Sequence, residues 1–187
     1  MNGSNIAGGN PTRGRVDNDY YATHTDSTKA LLKVWDIEYP ALEPACGEGH
    51  ISKLLDESRT HSTDLVYRGY GDGGVDFISG SFDSVPTVIT NPPFNLFTEF
   101  LEKSLDISSR YVILFGKLQA LEGKKRASYI QTTPLRYVYV FKSRQQPLRN
   151  GAQTDPLTGK KWSSSTMAFA WFIWDKEYTG EPVVRWL

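Results

Sequence analysis

The chain has 187 residues, 39% of them hydrophobic and 13% aromatic, with 21 Lys+Arg against 21 Asp+Glu. Ten Tyr, nine Phe and five Trp carry too much apolar ring surface for a chain that stays unfolded, so a domain with a real core is expected. A single Cys excludes a disulfide scaffold, and the three His at 24, 50 and 61 lack metal-ligand spacing. No apolar run approaches the roughly 18 residues that span a bilayer, so a cytoplasmic protein is expected.

Residues 1–19, with Gly3, Gly8, Gly9, Pro11 and Gly14, show no hydrophobic periodicity and read as a flexible N-terminal arm before a single domain over 20–187. A cap at Asp26 or Ser27, followed by Ala30, Leu31 and Val34, predicts a helix to about Trp35. A strand at 40–43 then leads through Pro44–Gly49 into a helix from about His50 to Glu57, with Ile51, Leu54 and Leu55 inward. Further strands are expected near 60–63 and Val75, and Val85–Thr90 reads as a buried strand ending in Asn91-Pro92-Pro93. Phe94–Leu105 reads as a helix, Arg110–Phe115 as a strand and Lys117–Ile130 as a basic helix. Tyr137–Phe141 and Thr166–Trp174 complete the strands, with Trp171 and Trp174 as sheet packing, and a basic loop insertion at about 142–165 separates them. This alternation implies an open α/β sheet with helices on both faces.

The neutral total conceals an asymmetry. Residues 110–161 hold eleven Lys/Arg against two acids, Glu122 and Asp155, net +9, which leaves net −9 elsewhere. Such a segment fits an anionic partner or a solvated face. Its candidate phosphate contacts are Lys117, Lys124, Lys125 and Arg126 after the fifth strand, and Lys142, Arg144, Arg149, Lys160 and Lys161 in or beside the loop, where Trp162 is a candidate base contact.

Three stretches carry chemistry. In Ala41–His50, a strand end opens through Gly47 and Gly49, which permits close approach of a ligand or simply a tight turn. Glu43, a carboxylate at the end of an apolar strand, is costly there unless it binds something. Asp64 lies 21 residues after Glu43, the spacing at which dinucleotide-type folds place an acceptor for ribose hydroxyls, and Asp76-Phe77 offers a carboxylate for an exocyclic adenine amine and a ring for stacking. Asn91-Pro92-Pro93-Phe94 is the most specific. Its two prolines remove two donors and fix φ twice, so the Pro92 carbonyl and the Asn91 side chain become paired acceptors beside an apolar plate. That suits a flat ring bearing an NH2 group. Cys46 reads as a small packed residue.

On these residues the chain resembles class I S-adenosylmethionine-dependent amino-methyltransferases. Glu43–Gly49 is similar to their cofactor loop, Asn91–Phe94 to the tetrapeptide of DNA adenine N6-methyltransferases of bacteria and phages, and Tyr20–Thr23 to the segment over the methionine end of the cofactor. The resemblance implies a Rossmann-like fold with a central, mostly parallel seven-stranded sheet. It implies that Tyr21, Thr23, Glu43, Ala45, Gly47 and Gly49 hold the methionine end of S-adenosylmethionine, Asp64 the ribose, and Asp76 and Phe77 the adenine. Asn91, Pro92, Pro93 and Phe94 would be the catalytic residues, acting on adenine in DNA. RNA adenine, or a catalytically silent nucleic-acid-binding subunit, are the alternatives. With the cofactor loop before the tetrapeptide, no separate large target-recognition domain is expected, so sequence reading would fall to the basic loop, to a homodimer or to a partner subunit.

Overall fold

The computed structural model describes residues 20–145, 148–149 and 167–187, with backbone alone at 148–149; the expected arm at 1–19 and Lys160, Lys161 and Trp162 lie outside them. The strands are β1 (Tyr21–Ala22), β2 (Ala41–Glu43), β3 (Thr60–Asp64), β4 (Asp72–Gly73), β5 (Val85–Thr90), β6 (Ser108–Lys117), β7 (Leu135–Val140), β8 (Leu148–Arg149), β9 (Phe169–Asp175) and β10 (Val183–Trp186). The α-helices are α1 (Thr25–Leu32), α2 (Phe97–Ile107) and α3 (Lys124–Ile130). Eight strands form one sheet in the order β10-β7-β9-β6-β5-β2-β3-β4, with β9 alone antiparallel to its neighbours; β1 and β8 form a separate antiparallel pair.

The core follows from period-2 alternation along the buried strands. In β6, Val112 and Leu114 face α2 and α3, where they meet Phe97, Leu101 and Ile130. Ile113 and Phe115 face the other way, towards Leu31 of α1 and Ile51. β9 divides likewise: Ala170, Phe172 and Trp174 on the first face, Phe169, Trp171 and Ile173 on the second. Trp171 and Trp174 are fully buried, and both indole N–H groups are satisfied, by the Ser27 carbonyl at 2.9 Å and the Thr133 hydroxyl at 2.8 Å.

Several elements depart from the sequence reading. The expected helix over 50–57 is replaced by turns and two 3₁₀ segments, Ser52–Leu54 and Glu57–Arg59. The reason is local: the Asp56 carboxylate accepts from the Ser58 backbone N–H at 3.1 Å and the Ser58 hydroxyl at 2.6 Å, starting a new turn where a helix would have continued. α1 is capped by His24, whose Nδ1 accepts the Asp26 N–H at 3.2 Å, instead of by Asp26 or Ser27. The strand expected near Val75 lies at Asp72–Gly73, while the Val75 N–H still bonds the Asp64 carbonyl at 3.0 Å. The basic helix is shorter than expected, because Lys117 ends β6 and Leu118–Leu121 forms a 3₁₀ turn before α3. β10 is not among the expected strands; it is the eighth of a sheet expected to have seven.

Candidate functional site

β3 and β4 extend the sheet to one side of β2, β5 and β6 to the other, so the strand order reverses between β2 and β5. Open α/β sheets leave a crevice beyond the strand ends at such a point. A cleft of about 860 Å³, open mouth included, lies there. Its walls come from Glu43–Cys46 after β2, Asp64–Val66 after β3, Val75–Ile78, Asn91–Phe94 after β5, and Tyr20–Thr23. Eleven expected site residues are thus brought together: Tyr21, Thr23, Glu43, Ala45, Asp64, Asp76, Phe77, Asn91, Pro92, Pro93 and Phe94.

Gly47 and Gly49 do not line the cleft. Both have left-handed φ, +54° and +79°, and an added Cβ would lie 2.6 Å from the Tyr20 ring and 2.7 Å from the Tyr70 ring. Close approach is needed at both positions, and it is made by aromatic side chains of the protein itself. Tyr20 is held over the loop by the Glu48 N–H donating to its hydroxyl at 3.3 Å and by the Arg68 guanidinium 4.0 Å from the ring centroid. Burial, with Glu48 nearby, pushes the Tyr20 hydroxyl up to about 12.

The two acids beside the loop fasten it. Glu43, 1% exposed, accepts from the Ser52 N–H at 2.9 Å and from the Ser52 hydroxyl, which also contacts Ser62. Desolvation raises its pKa to about 8, against the opposing pull of the Ser52 bonds. Asp64 Oδ2 accepts the Gly47 N–H at 2.8 Å, and its Oδ1 the Val66 N–H at 2.8 Å. Cys46 is buried, and burial beside Glu43 and Asp64 pushes its thiol up to about 12, so it is a poor nucleophile.

At the tetrapeptide, the Asn91 Nδ2 donates to the Tyr21 carbonyl at 2.7 Å, while its Oδ1 is buried without a hydrogen-bond partner. Pro92 is buried, and the Pro93 carbonyl accepts the Leu96 N–H at 2.9 Å, which turns the chain towards α2. The Phe94 ring is flanked: Tyr21 stacks on it at 5.7 Å and 25°, Phe169 tilts against it at 5.8 Å, and the Lys117 ammonium lies 4.6 Å from its centroid.

Asp76 is on the exposed rim, its carboxylate accepting from the Ile78 N–H at 3.0 Å and the Ser79 hydroxyl at 2.8 Å; the Ser79 bond is the main cause of its lowered pKa. Phe77 is 2% exposed and packs on Phe82 and Phe100, so it forms the floor of the cleft more than a free plate. Sequence reasoning missed His50, Leu65, Val66, Arg68 and Ile78 on the walls. The apolar pair directly after Asp64 was the one available signal; in the structure Leu65 is 58% exposed.

The basic segment divides between two ends of the sheet. Lys117 ends β6, and Lys142 and Arg144 follow β7, on the side where the cleft opens. Lys124 and Lys125 are exposed at the start of α3. Arg126 instead donates to the Ala120 carbonyl at 2.6 Å and the Gln119 carbonyl at 2.7 Å, tying the 3₁₀ turn to α3. Arg110 and Arg136 lie at the far end, pairing with buried Asp175 at 3.3 and 2.7 Å. Arg149 pairs through its backbone with Tyr21 in the β1–β8 ladder.

No family model matches the sequence, and no curated protein matches it. Solved structures do resemble the fold. One, from Listeria monocytogenes, is provisionally assigned as a class I S-adenosylmethionine-dependent methyltransferase (TM-score 0.63, 13% identity, covering 94% of this chain and 68% of that one). Magnesium protoporphyrin IX methyltransferase from Synechocystis, solved with bound S-adenosylmethionine, gives a TM-score of 0.53 at 11% identity, over 82% of this chain and 78% of that one. The modification subunit of a provisionally assigned type I restriction enzyme from Vibrio vulnificus gives 0.53 at 14%, over 87% of this chain and 45% of that one. The chain has the Rossmann-like class I methyltransferase fold.

Proposed function

We propose that this protein is an S-adenosylmethionine-dependent methyltransferase that modifies the N6 amine of adenine in DNA. The observation that carries the reading is Asn91: its Nδ2 is committed to the Tyr21 carbonyl, and its Oδ1 is a buried acceptor on the cleft wall without a partner. A buried acceptor left unsatisfied costs roughly 1–3 kcal/mol, which a donor on a substrate held at the cleft wall would recover. An amine hydrogen is such a donor.

The cleft also fits the cofactor. Leu65, Val66, Ile78 and Phe77 supply an apolar flank for a purine, Asp64 and Asp76 supply carboxylates near it, and the buried Thr23 hydroxyl has no partner. Bound S-adenosylmethionine supplies an electrophilic methyl group. Asn91 Oδ1 and the Pro92 carbonyl accept the two hydrogens of the amine and hold its nitrogen in line with that group. Catalysis by such positioning and fixed dipoles needs no nucleophile from the protein. In duplex DNA the base must first be flipped out, at a cost of roughly a few kcal/mol. Lys117, Lys124, Lys125, Lys142 and Arg144 provide phosphate contacts around the opening.

The deciding experiment incubates the protein with labelled S-adenosylmethionine and, separately, duplex DNA, single-stranded DNA, total RNA or protein extract, followed by nucleoside mass spectrometry. N6-methyladenine in DNA is the expected product. Label in RNA would move the substrate; cofactor binding without label would assign a silent subunit. Asn91→Ala is expected to lower turnover by about 10²–10³ while changing cofactor affinity little; unchanged turnover would refute the role of Asn91.

A further inference from the structure

β10 is the outermost strand of the sheet, and its outer edge is open among the described residues. The opposite edge, β4, is two residues long and carries Asp72, the kind of short, charged edge that resists further pairing. β10 is longer and apolar: Val183, Val184 and Trp186 are 39%, 50% and 62% exposed. Its outward backbone groups can be identified. The Leu187 N–H donates to the Val140 carbonyl and the Leu187 carbonyl accepts the Lys142 N–H. By strand alternation Val183 and Arg185 also bond towards β7, while Pro182, Val184 and Trp186 turn their backbone groups to the open edge. The side chains of Val184 and Trp186 stand beside Val138 and Val140 on the α3 face, where a groove of about 1730 Å³, open mouth included, is lined by Tyr178, Gly180, Pro182 and Val184. Those of Glu181, Val183 and Arg185 lie on the other face, where the Arg185 guanidinium is 5.0 Å from the Tyr137 ring centroid. Neither Glu181 nor Arg185 is in an ion pair among the described residues.

We propose that two copies of this chain pair through β10, edge to edge and antiparallel, about a two-fold axis at Val183. In this register Val183 meets itself, Glu181 meets Arg185 of the second copy, and Arg185 meets the second copy's Glu181. Two ion pairs thus form from residues that stand roughly 13 Å apart within one strand. The neighbouring registers are poorer: centring on Arg185 sets two guanidinium groups against each other, and centring on Val184 sets each charge against an aliphatic side chain. Pro182, which has no N–H, falls opposite Val184, whose N–H donates to the Pro182 carbonyl. Trp186 falls opposite Gly180, a residue without a side chain, on the groove face. The indole of each copy therefore fills the groove of the other, beside Tyr178 and Pro182. The contact uses none of the cleft residues and is independent of what the cleft binds.

The test is sedimentation equilibrium of the full chain, of Glu181→Arg, of Arg185→Glu, of the double reversal and of Trp186→Ala, all at exposed positions. Wild type is expected to sediment at twice its 21.1 kDa. Each single reversal replaces two opposite-charge pairs with two like-charge pairs and is expected to weaken the dimer about tenfold, while the double reversal restores complementarity and returns it to within about threefold of wild type. Trp186→Ala, which empties the groove, is expected to weaken it likewise. Hydrogen exchange at the Val184 amide is expected to slow as protein concentration rises. A monomeric wild type at high micromolar concentration, a dimer indifferent to both single reversals, or a double reversal no better than either single one would overturn the proposal.

Discussion

Glu43 illustrates what a single residue reveals in sequence and what it hides. A carboxylate at the end of an apolar strand calls for a partner, and the partner is Ser52, nine positions on, which presents both its N–H and its hydroxyl. Because burial raises the Glu43 pKa from its ordinary 4.5 to about 8, the folded chain holds that proton more tightly than the unfolded one. The resulting stability is fully present below the unfolded value and is lost as pH rises towards 8. The difference in melting temperature between wild type and Glu43→Gln should therefore widen, to the disadvantage of wild type, between pH 4.5 and 8; a flat difference curve would show the group to be ionised throughout. Gly47 offers a second residue-scale test. At φ +54°, with the Tyr20 ring 2.6 Å from any added Cβ, Gly47→Ala should cost about 1–2 kcal/mol from the backbone alone in denaturant unfolding, and should also displace Tyr20. That no side chain fits at Gly47 was readable. That Tyr20 fills the space was not, since nothing local links two positions so far apart in the chain.

Elements were legible where one physical requirement dominated. β5, β6 and β9 are buried on both faces, so each announces itself as an apolar run. β10 has all four residues exposed and joins the sheet at its edge, through backbone pairing with β7; Val183, Val184 and Trp186 carry no burial pattern to read. The 50–57 segment misled for the opposite reason. Ile51, Leu54 and Leu55 do fall at helical spacing, but the Asp56–Ser58 bonds and the demand of Glu43 for Ser52 override it. One prediction concerns the far ends of β6, β7 and β9, where Asp175 is 1% exposed between Arg110 and Arg136. Asp175→Asn leaves two guanidinium groups without their shared carboxylate and should cost about 2–4 kcal/mol in stability. Because the strands separate this network from the cleft, ligand affinity at permissive temperature should not change; a parallel loss of affinity would show that the two ends are coupled.

For the whole molecule, the charge count of the basic segment overstates what a nucleic acid would meet. Arg110 and Arg136 are committed at the opposite end of the sheet and Arg126 to backbone carbonyls, so the electrostatic surface around the cleft is smaller than the sequence implies. Replacing Lys124, Lys125, Lys142 and Arg144 with Gln should flatten the dependence of DNA affinity on salt by about 0.9 in log–log slope for each phosphate that is no longer neutralised. An unchanged slope would return the segment to a solvated face. The β1–β8 ladder ties the connection between β7 and β9 to the cleft wall. Arg149 pairs with Tyr21, Tyr21 offers its carbonyl to Asn91, and the Ser27 hydroxyl reaches Gln145 at 2.7 Å. A connection grafted between β7 and β9 from another protein would have to retain a strand at Leu148–Arg149. Without it, such an exchange would slacken the seat of Asn91, so a change of that connection would reach the cleft through Tyr21 and not only through its own side chains.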